Sequence, residues 1–257
     1  IYNLRSKVTI GSIGPVSVTL HVPESTLEPG GDNSEDAMVQ AALESEREHS
    51  GDILGRGWDP RVPGFGVRVL SSSSSRRSSS NSEVCDIDYT SYRAACGVSE
   101  GVETVGGIPL ESNMDLLTHI DFRKGCYVGQ ELTARTKFKG VVRKRVVPFT
   151  FTTTVDEAGG QVACQAGDKV YVQTDDSSDE KTVGVVTCAP PRCGAAGLVL
   201  LRLAALRDAG ASFRIKASAA AEEGKDEAKE GEEDPVIVPY IPAWWPREDP
   251  ITEKPLF

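Results

Sequence analysis

Two adjoining runs, Asp121-Phe-Arg-Lys-Gly-Cys-Tyr-Val-Gly-Gln-Glu-Leu-Thr-Ala-Arg-Thr136 and Val141-Val-Arg-Lys-Arg-Val-Val-Pro-Phe-Thr-Phe151, decide how the chain is read. Gly125 and Gly129 allow the backbone a positive φ or a close approach to a ligand, so Cys126 and Tyr127 are expected on a tight, exposed turn. Arg123 and Lys124 beside them favour the thiolate, the form that attacks electrophiles and binds metals. These residues alone leave two readings open, a packed turn or a presented thiol. Downstream, Leu132 to Phe151 alternates apolar and polar side chains and predicts strand. Further strands are expected at Val170-Tyr-Val-Gln173 and Thr182-Val-Gly-Val-Val-Thr187, with turns at short intervals between. Residues 147–257 are therefore expected to form a small antiparallel barrel or sandwich.

Upstream the pattern is mixed. Residues 1–22 alternate across the turn at Gly11–Pro15 and read as a hairpin, and Gly64 to Leu70 reads as a strand delivered by Trp58-Asp-Pro-Arg61. Asp86 or Asp88 caps a helix through Tyr89, Tyr92, Arg93 and Cys96 that Gly97 closes. A short amphipathic segment, Met114 to Ile120, leads into the cysteine run, and His119 is either structural or a partner for Cys126. Segments 24–52, 71–83 and 217–234 are polar or acidic and read as insertions, the first holding a helix from Asn33 or Ser34 to His49. The expected class is α+β, with an α/β domain over 1–146 and a barrel over 147–257. Trp244 and Trp245 are read as covering a barrel end.

Charge and cysteine usage narrow the chemistry. The 257 residues carry a net charge of −10, which argues against nucleic acid as a general partner. Residues 121–145 depart from that trend, with 8 Lys/Arg against 2 Asp/Glu, a local +6 that leaves 20 against 36, or −16, elsewhere. Such asymmetry suits a carboxylate cofactor, a phosphate or an acidic protein, or else is a solvated basic strand pair. The 6 cysteines are scattered without a CxxC pair and are read as reduced thiols of an intracellular compartment. Cys188 and Cys193, with four residues between them, are read as a loop with two small side chains and not as a metal site. The longest apolar stretch, Gly194 to Leu206, is interrupted by Arg202 and is too short to span a bilayer. A start at Ile1 with no leader pattern is expected of a mature form or a piece of a longer chain.

Lys124-Gly-Cys-Tyr-Val-Gly-Gln-Glu131 with Arg135 resembles the signature of the YgfZ branch of the YgfZ/GcvT folate-binding superfamily. The resemblance extends through Tyr2–Thr9, Asp59-Pro-Arg61, Tyr92-Arg93 with Gly97-Val98, Ile108–Glu111, Gly140–Arg145, Gly197–Leu201 and Trp244-Trp-Pro246, and is closest to eukaryotic mitochondrial members of the Iba type. In that family the Leu4-Arg-Ser-Lys-Val8 region lies well inside the protein, so an N-terminal part of the fold is expected to be absent. The resemblance implies an α/β core with ferredoxin-like elements, followed by the barrel.

It also implies a matrix protein, delivered by a transit peptide, that helps mature [4Fe–4S] proteins together with A-type carriers holding [2Fe–2S] clusters. This is an assembly factor more than a classical enzyme. Cys126 is then a transient ligand of a cluster shared with the partner, or a redox thiol; Lys124 lowers its pKa, and Tyr127, Gln130 and Glu131 shape the site. One exposed thiolate must borrow the remaining cluster ligands from a partner. Two other readings stand beside this one. In a folate-dependent aminomethyltransferase, Glu111, Asn113 and Arg135 would line a pocket for tetrahydrofolate; in a docking module, Arg143, Lys144 and Arg145 would carry the binding.

Overall fold

The computed structural model describes residues 16–21, 53–72, 89–152, 164–174, 177–191, 194–207, 211–216, 234–249, 251–252 and 255–256. The expected first hairpin strand, the helix ending at His49, most of the inserted segments, and Cys85 and Cys193 lie outside them. The chain divides into two units, Ile1–Cys85 and Asp86–Phe257.

In the first unit, β1 (Val16–His21), β2 (Ile53–Trp58) and β3 (Val67–Ser72) form an antiparallel sheet in the order β1-β3-β2. The link from β2 to β3 folds around Asp59. Its Oδ1 accepts from the Arg61 backbone N at 3.1 Å, and its Oδ2 accepts from Arg61 Nη2 and Arg68 Nε, each at 2.7 Å. Burial alone would raise this carboxyl, but the two guanidinium groups outweigh it and hold its pKa below the ordinary value.

In the second unit, β4 (Lys144–Phe151), β5 (Lys169–Thr174), β6 (Ser177–Cys188), β7 (Gly197–Arg202), β8 (Ser212–Lys216) and β9 (Val236–Pro239) close a barrel in the order β4-β7-β6-β5-β8-β9. Alternate residues turn inward: Val147 and Phe149 from β4, Val170 and Val172 from β5, Val199 and Leu201 from β7, Phe213 and Ile215 from β8. Closure leaves no free sheet edge. Trp245 adds its ring to this core and packs edge-on against Trp244, whose Nε1 donates to the Cys96 carbonyl at 2.9 Å.

Strand β4 is unusual because one of its edges changes partner. Lys144 to Phe149 pair with β7 along one side, whereas β9 meets the other side only from Phe149 to Phe151. Beside the first half of β4 the preceding loop takes the place of β9. Val146 N donates to the Glu111 carbonyl at 2.8 Å, and Asn113 Nδ2 donates to the Val146 carbonyl at 2.6 Å. Pro148 stands where the two partners meet. Its carbonyl accepts from Tyr240 N at 3.0 Å, so its missing N–H faces the end of β9, where a ladder donor is least needed.

Helix α1 (Tyr89–Ala95) ends as expected at Gly97, whose φ of +74° is the left-handed cap. Buried Arg93 ties this helix to Glu103 at 2.5 Å and to the Val98 carbonyl at 2.9 Å. Residues Gln130–Phe138 form helix α2, not the expected start of a strand, which begins only at Lys144. The period-two alternation through Leu132 was coincidental. Contacts four residues apart decide the matter: Glu131 pairs with Arg135, the Thr136 hydroxyl donates to the Leu132 carbonyl at 2.8 Å, and Thr133 and Lys137 are buried together. The expected amphipathic segment at Met114–Ile120 is a succession of turns, with Asn113 and Thr118 both left-handed at φ of 60° and 59°.

Barrel closure tolerates no side chain at Gly197, where a Cβ would lie 2.7 Å from the Phe149 ring and 2.8 Å from the Cys188 carbonyl. Gly197→Ala is expected to lower stability by about 1–3 kcal/mol in urea denaturation, because backbone bounds one side and the ring cannot retreat into a filled core.

Candidate functional site

Cys126 is exposed, in an irregular stretch between the turn at 122–124 and the turn at 128–129. Arg123 N donates to Asp121 Oδ1 at 2.8 Å, and Gln130 N to the Tyr127 carbonyl at 3.2 Å, so each end of the stretch is fixed. Gly129 takes φ of +87° and opens α2, as the sequence leads one to expect. Gly125 has no positive φ, and a Cβ there would meet nothing within 4 Å. What Gly125 provides is therefore open space beside the thiol. The Lys124 ammonium lies 4.6 Å from the centre of the Tyr127 ring, a cation–π contact that folds the lysine back over the turn.

Tyr127, Gln130, Glu131, Ala134, Arg135, Phe138 and Lys139 line a shallow concavity that runs along α2 from the cysteine turn. Four of the candidate residues, Tyr127, Gln130, Glu131 and Arg135, are thus brought together. The Glu131–Arg135 ion pair is largely exposed and contributes little to stability, leaving both groups free to re-pair. Glu111 and Asn113 do not line this concavity. The Glu111 carbonyl and the Asn113 amide are engaged in completing the edge of β4, and Asn113 is fully buried.

Behind the concavity lies a network that sequence reading missed. The Arg145 fork holds Asp115 through Nη1–Oδ1 at 2.8 Å and Nη2–Oδ2 at 3.0 Å, and Nη1 also donates to the Leu110 carbonyl at 2.9 Å. Lys137, on the inner face of α2, reaches Asp115 Oδ2 at 3.0 Å and forms a second ion pair with Asp249. All four side chains are at most 6% exposed. Burial pushes the Asp115 carboxyl up, but Arg145 and then Lys137 overcome this and hold it below the ordinary value. Burial likewise acts against the Asp249 carboxylate, and Lys137 with the Ile251 and Thr252 backbone N–H groups reverses the effect. Thr133 and Lys137 are four residues apart but both polar, so their spacing does not mark an inner helix face in the sequence. Nothing local in the sequence joins Asp249 to it.

The network corrects the reading of a +6 basic surface. Lys137 and Arg145 are turned inward and neutralised, so 6 of the 8 cations in 121–145 are left against 2 carboxylates, a net of +4. Arg145 is 1% exposed and cannot belong to a docking strand.

The other described cysteines differ in kind from Cys126. Burial, reinforced by Asp168 and Cys188, pushes the Cys164 thiol up to about 12; burial and Glu103 push Cys188 up to about 11. Both are protonated near neutral pH. Cys96 is half-buried beside α1. His119 is exposed, and among the described residues no group of three or more His, Cys, Asp or Glu is placed to hold a metal ion.

These features define an α+β protein whose antiparallel barrel supports one exposed cysteine, among the described residues, on a glycine turn ahead of a short helix. No family model matches the chain. It is 34% identical over 217 residues to the mitochondrial iron–sulfur cluster assembly factor IBA57 homolog of Mycosarcoma maydis, an alignment covering 75% of this chain and 53% of that protein. The Neurospora crassa homolog is 42% identical over 156 residues (57% and 33% of the two chains), and the Homo sapiens IBA57 is 35% identical over 163 residues (62% and 42%). The chain is close to mitochondrial IBA57, a protein of the GcvT/YgfZ-like family. It spans about half the length, or less, of these relatives.

Asp115→Asn is expected to lower stability by about 3–5 kcal/mol in urea denaturation, since it leaves two buried cations short of a counter-charge. The folded-state pKa values of Asp115 and Asp249 lie below 3.8, so their contribution is complete above that value and is lost as pH falls through the depressed values. An acid titration of stability is accordingly expected to show a shallower loss below pH 3.8 in Asp249→Asn than in the parent chain.

Proposed function

We propose that this chain is a mitochondrial matrix assembly factor that aids the maturation of [4Fe–4S] proteins, with Cys126 as a transient ligand to a cluster carried by a partner. The observation that carries the proposal is the one exposed thiol among the described residues, on a turn with open space at Gly125. The names of the similar proteins support it: each is an iron–sulfur cluster assembly factor.

The cluster is cargo, and its chemistry sets the requirements. Iron in such clusters is held by thiolates, so Cys126 releases its proton to solvent and the thiolate fills one iron position. The described residues offer no second ligand group of the right kind nearby, and the rest of the coordination comes from the partner, a [2Fe–2S]-loaded A-type carrier. Lys124, two residues before Cys126 and held over Tyr127, adds positive charge to the same turn. Tyr127, Gln130, Glu131 and Arg135 shape the wall next to it. In the same reading the segments ahead of the barrel are a GcvT/YgfZ-like core with ferredoxin-like elements, and Glu111 and Asn113 contribute by completing its junction with β4.

The test is a UV–visible spectrum of the chain mixed with an A-type carrier reconstituted with [2Fe–2S]. A shared-cluster absorption distinct from that of the carrier alone is expected, and Cys126→Ser is expected to abolish it while leaving the far-UV circular dichroism unchanged. An undiminished absorption in Cys126→Ser overturns the assignment of the ligand.

A further inference from the structure

Around the cysteine turn, large apolar side chains stand in solvent. Val128 is 102% exposed, Val141 73% and Leu132 57%, the first two flanking the ends of α2 and the third on its outer face. A helix of this length extends about 13 Å, so the three are spaced in a strip along the helix and just past its two ends. The strip cannot be relieved by rolling the helix. Thr133 and Lys137 lock the opposite face inward, Lys137 through its pairs with Asp115 and Asp249.

The charges about this strip have a consistent sign. Arg123, Lys124, Lys139 and Arg143 are exposed, and none is tied in an ion pair among the described residues. The nearby carboxylates are already engaged: Asp121 accepts from Arg123 N, and Glu131 pairs with Arg135. In a chain of net charge −10 this is a cationic rim around an apolar centre. Burial of the centre supplies affinity, and the rim steers and orients a partner of opposite charge.

We infer that Val128, Leu132 and Val141, rimmed by Lys139 and Arg143, form the docking face for the cluster carrier, which presents an apolar contact surrounded by carboxylates. The inference rests on the reading of Cys126 as a shared ligand and adds the surface that brings the two proteins into register. Val128 is two residues from Cys126, so a carrier seated on this face holds its cluster against the thiol. Affinity and cluster ligation are then separable functions of neighbouring residues.

The experiment compares the full chain with Val128→Asp/Leu132→Asp, Lys139→Glu/Arg143→Glu and Cys126→Ser, titrated by calorimetry into [2Fe–2S]-loaded A-type carrier at low and high salt. Circular dichroism and unfolding midpoints are checked first. Each double variant is expected to weaken Kd by about tenfold or more, and the charge pair is also expected to flatten the salt dependence. Parental affinity in both double variants overturns the docking face, even where Cys126→Ser removes the shared absorption and the ligand reading stands. Retained absorption in Cys126→Ser overturns the ligand reading, while the double variants still decide the face. Two further outcomes overturn the inference by assigning the face to another occupant. One is a parent dimer, seen by sedimentation, that the double variants dissociate with carrier affinity unchanged. The other is parent-only binding to phosphatidylserine vesicles, again with carrier affinity unchanged.

Discussion

The bidentate pair between Arg145 and Asp115 is the constraint on which the second unit depends. It joins the first strand of the barrel to the loop that completes that strand's outer edge, and Lys137 extends it to α2 and to Asp249 near the C-terminal end. Two carboxylates and two cations out of water are costly to assemble, and mutual attraction offsets that cost only when every member is present. The network is not perfectly closed: Arg145 Nε and Trp245 Nε1 are buried with no partner among the described atoms. Arg145 therefore carries fold-level importance although Arg143, two residues before it, is exposed.

This arrangement explains how a short, weakly amphipathic helix can present a reactive group. Helix α2 buries little apolar surface of its own, and in isolation a helix of nine residues is marginal. The inward salt bridge at Lys137 supplies the anchor that an apolar stripe would ordinarily give. With the inner face fixed by charge, the outer face is free to carry Leu132, Glu131 and Arg135, and the turn at its start is free to carry Cys126. Half-buried Cys164 and Cys188 sit instead where desolvation raises their pKa and keeps the thiols protonated near neutral pH.

The positive region therefore has two layers with different tasks. The inner cations stabilise the junction of barrel, loop and helix. The outer ones leave a field of modest size around an apolar strip. A change of charge in either layer would look similar in sequence and act through different physics: one through desolvation, the other through screened, longer-range attraction.

The sequence by itself determined much of this protein. Alternation at Val147, Phe149, Val170 and Val172 marked the barrel, because period two is a local property of strands. Gly97 and Gly129 marked a helix end and an exposed turn, because left-handed backbone favours one residue type. The cysteine run marked the candidate site. Tertiary structure alone decided that Gln130–Phe138 is a helix, that Lys137 and Arg145 point inward, and that Asn113 completes the edge of a strand. These outcomes depend on Asp115 and Asp249, which are 134 residues apart in the chain and converge on one lysine. A single charge in a sequence carries no record of its distant partner, so whether a basic residue serves the surface or the interior is settled only when the chain closes on itself.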